Sequence, residues 1–503
     1  MVCCAVRLAD DRRIRNVGAV PATAEKGGGI SRPACHRGWN GAMFGFPMAN
    51  TPISQIRSDR ELYANLVRLA LPIMAANLLQ MLYNLADAFF LGKISAEAVA
   101  APSISLNIVM FLIVSGIGLA TAGTTLISQS KGKEDHERVD FYLGQMTLLL
   151  TALSVLLSLI GVAFAGPLLS LLQVPENAFS GTLSYLRIIL SGMPLMFLFF
   201  VLQAAMQGIG DSVTPLKIQG LAIALNVGLD PLLIFGVGPF PRLEVEGAAI
   251  ATVIARGIAS VLALLILLRG SKGMRLRGEN LVPSWEAQRR LLGIGLPLAI
   301  GQGVASLGFL VLQGIVNSFG TAVVAAFGVG SRIINLFTMP AIGFSRATAS
   351  LVGQSIGARR PETAKTVVKQ SILTVFVFIS LAMTLVFTFG ASVTRFFVDD
   401  PAVISYGQVM FRVISLSVIP FAMFMVSNGA FQGGGDTRPV MFLNMGRLWA
   451  IRVPLAALLA LGLSMGPTGI WLAMLASNLV TATLGFIILS KGRWLYKMSP
   501  ETI

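Results

Sequence analysis

Two aspartates stand inside runs of apolar residues. Asp87 lies in YNLADAFFLGK (83–93) and Asp230 in ALNVGLDPLLIFG (224–236). Each run is long enough to cross a bilayer core of about 30 Å. A charge there costs about 3 kcal/mol or more and commonly carries function. Asn226 precedes Asp230 by four residues, so the two share a helix face; Asn84 and Gln80 precede Asp87 by three and seven and share another. Thr252, in GAAIATVIARG (247–257), offers a hydroxyl from a third run. Low dielectric disfavours charge, so a buried carboxylate can bind a proton near neutral pH. The same carboxylates with the Asn and Thr oxygens could instead hold Na⁺. The plainer reading makes each carboxylate a cap or a pair for a neighbouring helix, and Asn226 and Thr252 ordinary polar contacts between membrane helices. Arg256, one turn from Thr252, has three roles open to it: pairing with Asp230, snorkelling, or lining a cavity.

The elements that must position these residues follow from composition. The chain has 503 residues, 55% hydrophobic and only 12% charged, where a soluble chain carries about 25% charged residues. Mean hydropathy is +0.77. Apolar runs at 66–91, 98–126, 142–166, 183–206, 215–237, 247–268, 291–317, 322–350, 367–392, 403–428, 440–463 and 468–490 predict twelve membrane helices. The expected fold class is therefore all-α, a polytopic membrane protein. A net charge of +15 sits mostly in short loops and argues against nucleic acid. Loops after even-numbered spans are the basic ones, for example Arg269 to Arg290, which predicts both termini on the cytoplasmic side of an inner membrane.

Cys3, Cys4 and Cys35 all fall close to the N-terminus, and His36 and His136 lie outside the apolar runs. No disulfide framework, metal cluster or membrane enzyme chemistry is indicated. Residues 1–55 read as a disordered tail or an upstream extension of the reading frame, with Met43 and Met48 as alternative starts.

The sequence is written twice. GLATAGTTLISQSKGK (118–133) returns as GFSRATASLVGQSIGA (343–358), and QGIGDS (207–212) as QGGGDT (432–437), both pairs at one and the same offset. Six spans per half make parallel repeats, related by an axis along the membrane normal. The expected organisation is an N-lobe (56–268), a cytoplasmic linker (269–290) and a C-lobe (291–503) facing each other across a cavity. That is the architecture of an alternating-access transporter. The halves disagree at the acids: Asp87 maps onto Leu312, and Asp230 near Pro454. The C-half spans hold Arg332, Arg346, Arg447 and Arg452 instead. Adaptable Met, Phe and Gln side chains are candidates for the cavity wall: Met196, Phe197, Phe200, Gln302, Gln313 and Met423.

NLLQMLYNLADAFFLGKISAEAVAA, QGIGDSVTP with ALNVGLDPLLIFG, EGAAIATVIARG and QGGGDTRP together resemble the multidrug and toxic compound extrusion (MATE) family. The resemblance runs from about residue 60 onward. It implies cation-coupled export of organic, often cationic, amphipathic compounds by a monomer, with no cofactor beyond the coupling ion, H⁺ or Na⁺. It places the coupling aspartate at Asp87, with Asn226, Asp230 and Thr252 completing an N-lobe site as in the DinF-like branch. The NorM-type branch uses a glutamate in the seventh span, where this chain has Gln302 and Gln313. A lipid-linked oligosaccharide flippase of the wider superfamily is the alternative, its pyrophosphate held by the C-half arginines.

Overall fold

The apolar runs fold as helices, some of them begun by residues whose side chains satisfy free N–H groups. A computed structural model of the protein describes residues 53–56, 58–94, 96–237 and 239–497. The cysteines, His36, Met43, Met48 and most of the expected 1–55 tail lie outside the described residues. Ser58 caps α1 (Asp59–Gly92) by accepting from the Glu61 N–H at 3.2 Å. α2 (Ala96–Gly132) and α3 (His136–Leu171) follow, the latter capped by Asp135. The fourth predicted span is two helices, α4 (Glu176–Ser191) and α5 (Met193–Gly208), bent by 46°. Gly192 and Pro194 sit at the break, and Pro194 brings no N–H to continue the ladder. α6 (Val213–Phe235) and α7 (Glu244–Arg269) complete the first half.

The second half runs α8 (Trp285–Asn317), α9 (Thr321–Gly357), α10 (Pro361–Phe397), α11 (Pro401–Gly433), α12 (Arg438–Gly462) and α13 (Pro467–Ser490). Within α12 the turns over Gly446–Arg452 and Ala457–Gly462 widen to π-helix. With α4 and α5 taken as one broken span, twelve spans stand as predicted.

Two helices, α1 and α8, place part of their length in the core of the opposite sequence half. Leu62, Leu66 and Leu69 of α1 lie in the C-lobe core with Phe411 and Phe431. Their repeat counterparts on α8, Ala287, Leu291 and Ile294, lie in the N-lobe core with Met146 and Phe197. The far half of α1 returns to the N-lobe, where Leu91 packs with Ile234 and Ala248. α1 and α8 are thus rods with one end anchored in each lobe.

Candidate functional site

The acids predicted to meet do meet. Asp230 on α6 is fully buried and interacts directly with Asp87 on the far half of α1. Asn226 donates to Asp230 Oδ1 at 3.3 Å. Tyr83, one turn before Asp87, stands beside it and shares a 2.7 Å hydrogen bond with Thr252 Oγ1. Asp87 Oδ1, Asp230 Oδ2 and Asn226 Oδ1 are buried, and each has no hydrogen-bond partner among the described residues. Three unclaimed acceptors around two carboxylates make a place for a positive charge: neighbouring carboxylates do not both stay ionised without a proton or a cation between them. The donor set suits a proton or an oxygen-seeking ion such as Na⁺.

Arg256 does not pair with Asp230. Its Nη2 donates to Gln80 Oε1 at 2.7 Å and its guanidinium stands 5.7 Å from the Tyr83 ring centre. Gln80 in turn donates to Asn84 at 3.3 Å and accepts from Gln219 at 3.3 Å. The predicted supporting residues therefore form a brace below the acids. Tyr83, Tyr185 and Gln219 were not singled out from the sequence. Tyr83 was legible as the residue four before Asp87. Tyr185, which faces both aspartates from α4, carries no local signal.

A cavity of about 370 Å³ lies between the lobes. Phe200, Gln203 and Gln207 line it at helical spacing on α5, opposite Gln302, Asn428, Gln432 and Asn444. Among the described lining residues only Arg346 carries a charge. Of the six expected cavity residues, Phe200 and Gln302 are there. Met196 and Phe197 are not: both lie in the N-lobe core, and the Phe197 ring fills the space beside Gly116. Met423 turns to a groove between α10, α11 and α13. Gln313 lies away from the cavity lining and bonds Asn317 at 2.9 Å. The bend at Gly192 sets which face of α5 meets the cleft.

The repeated motifs close this cavity at its basic-loop end. Gln129 on α2 donates to the Gly433 carbonyl at 2.9 Å, and Gln354 on α9 donates to the Gly208 carbonyl at 3.0 Å. Thr125 donates to Gln432 O at 2.8 Å, and its equivalent Ser350 donates to Gln207 O. A side chain at Gly132 or Gly357 would overlap the carbonyl of Gln354 or Gln129 across the interface. Gly210 and Gly435 turn the chain with φ of 88° and 73°, a region glycine enters without steric cost. Asp211 then caps α6, accepting from the Val213 and Thr214 N–H groups, and pairs with Lys272 at 2.7 Å. Asp436 pairs with Lys497 at the equivalent place. Ser212 and Thr437 donate to Leu69 O and Ile294 O at 2.9 and 2.8 Å, tying each motif to α1 or α8.

The model of the MatE family matches residues 72–232 and 297–458, more than half of the chain, in two segments whose starts keep the offset of the internal repeat. The chain belongs to the MatE family. This MatE chain is 30% identical to the probable multidrug resistance protein NorM of Thermotoga maritima, over 86% of its own length and 93% of that protein's. It is 28% identical to a protein of Shewanella oneidensis named FAD transporter, over 78% of its own length and 87% of the other. Its fold matches an outward-facing multidrug resistance MATE family transporter with a TM-score of 0.80 at 24% identity, covering 86% of this chain and 97% of that one.

Proposed function

We propose that the protein exports amphipathic organic compounds by alternating access, driven by a proton or Na⁺ that enters the site formed by Asp87, Asp230 and Asn226. The observation that carries this reading is the trio of buried, unpartnered oxygens on those residues. The MatE membership and the multidrug names of relatives support the transport class. The loop charges favour placing the basic end, with both termini, on the cytoplasmic side of an inner membrane, and the protein acts as a monomer.

The latched state has its cavity shut on that side, so cargo leaves from the opposite end. Cation binding between α1 and α6 discharges the acid pair and favours closer packing of the far half of α1. Because the near half of α1 is embedded in the C-lobe core, any tilt of α1 is transmitted to the other lobe. Opening the basic end then requires release of the four reciprocal hydrogen bonds. One charge moving down 100 mV supplies about 2.3 kcal/mol, enough for a cargo gradient of about 50-fold.

The test is efflux of a dye from vesicles containing purified protein, under separately imposed proton and sodium gradients. Asp87→Asn and Asp230→Asn should fold yet lose gradient-driven export. Full export by Asp87→Asn would refute the coupling role.

A further inference from the structure

The C-lobe holds a buried site of opposite charge to the acid pair. On α12, the counterpart of α6, Arg452 is 4% exposed. It donates from Nε to Ser477 Oγ at 2.9 Å and from Nη2 to Asn478 Oδ1 at 2.6 Å. Ser477 is the repeat counterpart of Thr252. Arg447 donates to the same Asn478 oxygen at 3.3 Å and stacks on Phe421 at 4.6 Å, while its buried Nε has no hydrogen-bond partner among the described residues. Asn478 is held with its oxygen toward the arginines because its Nδ2 donates to Ser417 Oγ at 2.9 Å.

Two guanidiniums sharing one amide oxygen are under-compensated. No ion pair among the described residues involves either arginine, and buried charge without a counter-charge is strongly unfavourable. The helix is built to bring them together nonetheless. Residues five apart point about 140° away from each other on an α-helix. The π-helical turn over Gly446–Arg452 aligns them, and such turns recur at functional sites. The arginine cluster also lies near the cleft along α12. Asn444 and Met441 line the cavity that contains Arg346, and Arg447 follows Asn444 by one turn. Trp449, between the two arginines in sequence, donates to the Val304 carbonyl of α8 at 2.8 Å. The pocket therefore adjoins α8 as the acids adjoin α1.

We propose that Arg447, Arg452 and Asn478 form a pocket for an oxyanion, a carboxylate or phosphate group, reached from the central cavity past Asn444. The chemistry fits: planar guanidinium forks recognise carboxylate and phosphate through paired N–H donors. With the buried acid pair in the N-lobe and this paired-arginine cluster in the C-lobe, the preferred cargo carries an acidic group on an amphipathic body. This step rests on the transporter reading of the cleft; the pocket itself can be tested without transport.

Binding of carboxyfluorescein, an anionic dye, and ethidium, a cationic one, is measured by fluorescence polarisation on the purified full chain. Thermal unfolding is followed in parallel with inorganic phosphate. Arg447→Gln should weaken carboxyfluorescein binding at least tenfold and leave ethidium within threefold, and Arg447→Lys, which keeps the charge but not the planar fork, should recover only part of the loss. That result assigns the anion to the cargo. If instead phosphate raises the melting temperature of wild type but not of Arg447→Gln, and dye binding is unchanged, the pocket takes a free anion. If neither probe responds to Arg447→Gln, or both dyes weaken equally, the proposal is overturned. Wild-type vesicles that export no dye under any gradient would defeat the antiport reading and leave the binding result standing.

Discussion

Gln129 and Gln354, counterparts in the two repeats, make one and the same hydrogen bond into opposite lobes, onto the Gly433 and Gly208 carbonyls. Each is a neutral bond worth about 1 kcal/mol. Gln129→Ala and Gln354→Ala should each shift the lobes toward opening at the basic end by a factor of about five, and to a similar degree. Gly357→Ala should act more strongly, since its methyl overlaps the Gln129 carbonyl. Spin-label distances across the basic end measure all three, and a wild-type distribution for Gly357→Ala would remove the latch from the mechanism.

Asp211 gives a pH prediction outside the membrane spans. Burial pushes its carboxyl up, but the Lys272 ammonium and the Thr214 hydrogen bonds prevail and hold it below the usual carboxylate range. A depressed carboxylate contributes stability that is fully present above its unfolded value of about 3.9 and is lost as pH falls through the lower folded value. The melting-temperature difference between wild type and Asp211→Asn should therefore be constant from pH 8 to about pH 5 and shrink below about pH 4. A difference that vanished between pH 6 and 7 would contradict the assignment.

Asn226 donates to Asp230 Oδ1 and carries an unclaimed oxygen of its own. Bonds to charged groups contribute about 1.5–3 kcal/mol. Asn226→Leu should raise the half-saturating concentration of the coupling ion about tenfold or more, with maximal efflux reduced less. An unchanged ion dependence in vesicle efflux would leave Asn226 a packing residue.

Arg256 braces Gln80 and Tyr83 rather than neutralising an aspartate. Arg256→Gln should lower stability by about 1–2 kcal/mol yet keep gradient-driven export. Complete uncoupling at normal expression would show that its charge serves the acids directly.

The spans and the acid site were readable because hydropathy is local and a single offset ties the halves together. Asp87, Asn226, Asp230 and Thr252 converge because each lies on the inward face of its helix at similar depth. The role of the repeated Gly-Asp motifs was not readable. Their partners lie in the opposite half of the chain, as for Thr125 and Gln432, and no periodicity reports such a contact. Only a third of the expected cavity wall was legible. Met and Phe were favoured over Gln203, Gln207 and Asn428, whose amides only the bend at Gly192 and the packing of α11 turn inward. Of the three roles open to Arg256 in the sequence, none named its actual partners, the Gln80 amide and the Tyr83 ring, because contacts between helices leave no local signal.

The exchange of α1 and α8 between cores has a reading in terms of symmetry. A surface that meets its own copy through paired, reciprocal bonds is the mark of a twofold homodimer, and trading one element between protomers is a low-cost way to build one. A six-helix unit with this surface can close on a copy of itself in that manner, and here the 269–290 segment joins the two copies in one chain. Because that seam is made at the repeated motifs and not at the charged clusters, the two copies can differ in charge without unmaking it: acid on one flank, base on the other.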